Sequence, residues 1–120
     1  MDLIAAVEAM NALGQETRMR AFRLLVEAGE DGVPAGEIAR RLDVPHNTMS
    51  SHLAQLARAG LVRSRRESRS IIYMPDLAGT RALLAFLVED CCRGRPEACA
   101  PLLDAVLPLS ACCPAPTRPA

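Results

Sequence analysis

Residues 36–74 read GEIARRLDVPHNTMSSHLAQLARAGLVRSRRESRSIIYM, and the fold turns on how this stretch divides. Pro34 opens a short helix, AGEIARRL, that carries Ile38 and Leu42 inward. Between Leu42 and Asn47 the residues DVPH make a tight connection, because the residue before a proline is pushed out of the helical region. In NTMSSHLAQLARA the apolar Met49, Leu53 and Leu56 recur at the helical period, which leaves Asn47, Thr48, Ser51, His52, Gln55 and Arg58 on the other side. Gly60 stops this helix. LVRSRRESRSIIYM then splits around Glu67 and Ser68 into two β-like runs with a short polar turn, a hairpin whose tip is crowded with arginine.

Two short helices joined by a tight turn and followed by a hairpin is the order of a winged helix-turn-helix, in which the second helix enters the major groove of DNA. The polar helix face and the basic hairpin are consecutive, so one surface can reach base edges and flanking phosphates together. Asn47 and Gln55 carry the amide chemistry that pairs bidentately with adenine, and Thr48, Ser51 and His52 extend the same polar face. Arg63, Arg65, Arg66 and Arg69 are expected mainly to grip phosphate. The bland alternative is a solvated helix beside a charged hairpin, with His52 simply packed.

Helical patterning continues on both sides. Residues Leu3 to Leu13 place Leu3, Val7 and Met10 on one stripe, whose partner is either the core or another subunit. Glu16 to Ala28 places Met19, Phe22, Leu25 and Val26 on a second apolar face. Thr80 to Asp90 is more apolar than its own domain can cover, with Leu83, Leu84, Leu87 and Val88, and is expected to meet a copy of itself. Ala98 to Leu107 adds a further short helix. The expected fold is mainly α, in the order α-α-α-α-β-β-α, with terminal helices forming a homodimer interface. Residues 1–107 are read as a single domain and 108–120 as a flexible proline-rich tail.

The 120 residues have zero formal net charge, so any attraction to DNA has to come from a local patch. Arg58 to Arg69 supplies that patch, with five arginines against the single acid Glu67. Two Phe, one Tyr and no Trp argue against a stacking platform for single strands. The longest apolar run, Leu83 to Val88, falls far short of the roughly 20 residues that cross a bilayer. Met1-Asp2 opens without the layout of a secretory signal, so a cytoplasmic protein without a membrane partner is expected.

The remaining feature is DCCRGRPEAC at residues 90–99, with a second vicinal pair at Cys112 and Cys113. Five cysteines in a reducing compartment are more consistent with ligands, redox sensors or packing than with a bridge framework. Cys91, Cys92 and Cys99 lie beside Arg93 and Arg95, which favour thiolate. Adjacent helical positions point about 100° apart, so convergence of Cys91 and Cys92 on one ion requires the helix to open there, which Gly94 and Pro96 ease. Three thiolates without a histidine suit a soft thiophilic ion rather than zinc, magnesium or calcium, and trivalent arsenic fits the count. Packing of free cysteines and thiol oxidation remain as alternatives. No enzyme and no organic cofactor are expected, because the cysteines lack an acid/base partner and the chain lacks a phosphate-binding glycine loop.

ALGQETRMRAFRLL, followed by the stretch quoted first, resembles the ArsR/SmtB family of metal- and metalloid-responsive repressors over roughly residues 3–90, most specifically in SSHLAQLARAGLV. The resemblance implies a homodimer paired through its first and last helices, bound to a palindromic operator and released by an inducer. It also implies a reading surface at Ser50, Ser51, His52 and their neighbours, and a wing from Arg63 to Tyr73. Family members with inducer thiols on the helix before the reading helix differ from this chain, whose GEIARRLDV lacks cysteine. Zinc-type members use Asp, His and Glu on the last helix, whereas His46 and His52 both lie in the reading head. The spacing of Cys91, Cys92 and Cys99 is similar to that of members sensing arsenite at this end of the chain. As(III) is therefore the expected inducer, with Cys112 and Cys113 as a second candidate pair; cadmium, lead, mercury, antimony, an organoarsenical or thiol oxidation are the alternatives.

Overall fold

A computed structural model describes residues 1–92, with side chains to Val88. The expected helix at Ala98 to Leu107, the tail 108–120, and Cys99, Cys112 and Cys113 lie outside the described residues. The elements run α1 (Leu3–Leu13), α2 (Glu16–Ala28), a 3-10 turn (Gly29–Asp31), β1 (Val33–Pro34), α3 (Ala35–Leu42), α4 (His46–Arg58), β2 (Val62–Glu67), β3 (Ser70–Pro75) and α5 (Leu77–Cys92). The winged helix-turn-helix order holds, with one addition. Val33 and Pro34 pair antiparallel with Tyr73 and Ile72, giving a three-stranded sheet in the order β1-β3-β2. A two-residue strand has no alternation to read, so only its pairing partner reveals it. Gly32 permits this approach: its φ is +82°, and a Cβ there would lie 2.6 Å from Ile72 Cγ2 and 2.8 Å from the Tyr73 carbonyl oxygen.

Met1–Leu84 forms one compact unit, and the remainder of α5 falls to a second. The first is built around α4, whose Met49, Leu53 and Leu56 are fully buried together with Leu25, Ile38 and Leu61. Each such side chain contributes about 1.5–3 kcal/mol of transfer free energy. Backbone bonds then lock the hairpin's base to the end of α4: Leu61 N–H donates to Leu56 O at 3.1 Å, and Asp76 N–H to Leu61 O at 2.9 Å. Asp76 also caps the start of α5, its Oδ1 accepting from Gly79 N–H at 3.0 Å.

Two helices present different faces from those expected. On α1 the core takes the small residues Ala6, Ala9 and Ala12, while Leu3, Val7 and Met10 stay 65%, 49% and 47% exposed, and Ile4 joins them. Alanines let α1 lie close to its neighbours, and the larger residues are left outside. On α2 the buried positions are Ala21 and Leu25, whereas Met19 and Val26 are exposed. Met19 and Val26 sit about 100° or more around the helix from Leu25, at the edge of the buried stripe rather than in it. Among the described residues no helix is long and apolar enough to cross a membrane.

Candidate DNA-binding site

The turn between α3 and α4 is closed by backbone geometry. Asp43 adopts a left-handed conformation (φ 57°, ψ 49°), its N–H donates to Arg40 O at 3.2 Å, and Val44 N–H donates to Ala39 O at 3.0 Å. Pro45 then starts α4 with no side-chain cap, which leaves first-turn amides without an internal side-chain acceptor. Burial of Met49, Leu53 and Leu56 fixes which side of α4 faces out. Asn47, Thr48, Ser51, Gln55 and Arg58 are exposed, and Ser50 and His52 are half-buried.

That outer surface has two flanks. On one, His46 and Ser50 line a cleft with Arg69, Ser70 and Tyr73 of the hairpin. His46, absent from the sequence-based site, thus joins the wing side of the surface. On the other flank, Gln55 and Arg58 border a groove with Glu8, Asn11 and Ala12 of α1. By the helical period Asn47 and Ser51 lie between the two, and Thr48 lies beside Gln55.

Arg18 of α2 governs the second flank. Its Nε donates to Ala12 O at 2.6 Å and its Nη2 to Asn11 O at 3.5 Å, which satisfies carbonyls at the end of α1. Its Nη1 donates to His52 Nδ1 at 3.3 Å and to Gln55 Oε1 at 3.2 Å. Burial, and then the Arg18 guanidinium, hold the His52 imidazole below its usual pKa. Sequence reasoning missed Arg18. The signal was its position: counting back seven residues from Leu25 and three from Ala21 puts an arginine on the inward stripe of α2, where a charge requires partners.

The hairpin divides its arginines. Residues directly opposite on paired strands share a face, and Arg66 and Ser64 pair with Ile71 and Tyr73, which front the cleft beside α4. Arg63 and Arg65 pair with Met74 and Ile72 on the reverse face. Arg65 is also committed internally, donating from Nε to Glu67 at 2.8 Å and from Nη2 to Asp31 O at 3.1 Å. The tight turn is set by Ser68, whose φ of 55° suits a two-residue hairpin loop and projects Arg69 at the tip.

The backbone of α5 is helical through Cys91 and Cys92, two residues past the end expected at Asp90. Among the described residues no group of three His, Cys, Asp or Glu is placed to hold a metal ion. The third cysteine of the expected set, Cys99, lies beyond them.

With this geometry in place, known proteins give a consistent comparison. A helix-turn-helix domain model matches residues 13–65. The transcriptional activator HlyU of Vibrio cholerae is 29% identical over 82 residues, 68% of this chain and 73% of that protein. A Halobacterium salinarum protein carrying the name arsenical resistance operon repressor is 36% identical over 83 residues, 69% of this chain and 64% of that one. In solved structures, a homodimeric winged helix-turn-helix DNA-binding domain from Mycobacterium bovis superposes with a TM-score of 0.61 at 26% identity, covering 73% of this chain and 81% of that one.

Proposed function

We propose that this chain is a DNA-binding transcriptional regulator of the ArsR type and works as a homodimeric repressor that leaves its operator when trivalent arsenic binds Cys91, Cys92 and Cys99. The observation that carries the DNA-binding part is the outward face of α4, polar and exposed at Asn47, Thr48 and Ser51, with a basic hairpin on one flank. A pair of such heads about 34 Å apart, one turn of duplex, reads two half-sites. Dimer formation is supported by apolar surface left open on α1 and by Leu84 and Leu87, 51% and 40% exposed on α5.

The inducer reading rests on donor chemistry and on the likeness to an arsenical resistance repressor. Thiolates are soft ligands, and three of them match the coordination of trivalent arsenic. With α5 helical through Cys92, gathering both vicinal thiols on one ion needs the last turn to open, which would couple inducer binding to the helix expected to pair subunits. Coupling free energies of about 1–3 kcal/mol are usual between such sites. Repression rather than activation is part of the proposal, since HlyU carries the opposite name.

Gel-shift release titrated with arsenite, antimonite, cadmium, zinc and peroxide tests the reading. Arsenite is expected to release wild-type protein, and Cys91→Ser, Cys92→Ser or Cys99→Ser to stay bound, with the Cys112/Cys113 double variant reporting on the second pair. Wild-type response in all three single variants removes the site. Release by peroxide without arsenite points instead to oxidation, in which two thiols form a disulfide and peroxide becomes water.

A further inference from the structure

We propose that Arg18 is a positioning residue for sequence reading: it fixes α4 against the end of α1 and turns the Gln55 amide so that its NH2 group is the end left to meet a base pair. The inference rests on the DNA-binding reading above and adds a base preference to it.

The chemistry is restrictive. A guanidinium has donors only, so the atom of Gln55 facing Arg18 Nη1 at 3.2 Å has to be the carbonyl oxygen. The same restriction makes His52 Nδ1 the acceptor of the other Nη1 bond, at 3.3 Å, and places the proton of the neutral ring on Nε2. Both side chains are therefore oriented by one group, itself anchored to Ala12 O and to Asn11 O. Gln55 remains exposed.

Bidentate recognition of adenine uses a glutamine's oxygen and nitrogen together, the oxygen accepting from N6. With one lone pair of Oε1 held by Arg18 and the oxygen turned toward it, the NH2 group is the end Gln55 presents first, and its donors match guanine N7 and O6 or thymine O4 better than the mixed edge of adenine. On this proposal Gln55 prefers an acceptor-rich edge, where the amide chemistry alone suggested adenine. Arg18 never needs to touch DNA to impose it.

Full-length protein, selected on a pool of randomised duplexes and compared with Arg18→Leu and Arg18→Lys, gives the test. Wild type is expected to prefer guanine or thymine at one position of each half-site, and both variants to lose that preference, because lysine keeps the charge but not the planar fork. Nitrogen NMR of the imidazoles supplies a readout independent of DNA: the His52 signals should move in Arg18→Leu while those of His46 stay. Should Arg18→Leu fail to fold, Gln55→Glu keeps a partner for Arg18 but removes the donors, and the ratio of preferred to random affinity should fall about tenfold. An unchanged motif in the Arg18 variants, an unchanged ratio in Gln55→Glu, or unmoved His52 signals overturns the proposal. A wild-type protein that selects no sequence overturns the DNA-binding reading with it, whereas unmoved His52 signals alone overturn only the role of Arg18.

Discussion

Protonating His52 would place a second cation beside Arg18 and turn the accepting Nδ1 into a donor, so the neutral ring is the form that fits the folded chain. The charged groups bordering this corner are Arg18 on α2, Arg58 on the same helix and Glu8 across the groove. Because the folded pKa is depressed below the usual 6.5, first by burial and then by Arg18, the unfolded chain binds the extra proton more readily. The contribution to stability is fully present above the unfolded value and is lost as pH falls below it toward the folded one. Urea midpoints at about pH 7.5 and about pH 5.5 should therefore drop more in wild type than in His52→Gln; equal drops would remove the linkage. The identities along α4 were legible because burial at Met49, Leu53 and Leu56 obeys the helical period. The roles of His52 and Gln55 were less so, since a periodicity says which residues face outward and nothing about which neighbour reaches them first.

At the scale of elements, the hairpin shows what alternation adds to a basic run. VRSRRE reads as a strand of undifferentiated positive charge, yet its pairing puts Arg66 with Ile71, which lines the cleft with His46 and Ser50, and Arg65 with the buried Ile72 on the other face. Arg66→Ala is expected to weaken binding to every duplex and to reduce the slope of log affinity against log salt by about one. Arg65→Ala should leave that slope nearly unchanged and lower thermal stability modestly, through the lost bonds to Asp31 O and Glu67, the latter an exposed ion pair of small worth. Equal salt slopes for both variants would mean that the wing does not present one face to DNA. The face of each β2 residue could be predicted only relative to a register, and the register follows from the turn at Ser68 and Arg69. For α1 the missing knowledge was of another kind: an apolar stripe and a row of alanines share the helix, and sequence alone does not say which row the core will take.

The whole molecule carries zero formal net charge, so a single reading head attracts DNA only through its local arginines. Two heads acting on one operator make the second contact intramolecular, which raises affinity without any new interaction. This gives the open apolar face of α1 a functional weight. Leu3, Ile4, Val7 and Met10 are all exposed on one helix, and an unpartnered face of that size costs solvation in a monomer. Val7→Glu places a charge amid that face while sparing Ala6, Ala9 and Ala12, the residues that seat α1 on its own core. Sedimentation should find the wild type as a dimer and Val7→Glu as a monomer with unchanged circular dichroism. On a palindromic duplex the variant should lose about a hundredfold in affinity, the usual scale of avidity, while its affinity for an isolated half-site stays near that of the wild type. A variant that remains dimeric places the subunit contact elsewhere, and a monomer that binds the palindrome as tightly as the wild type would show that one head is enough.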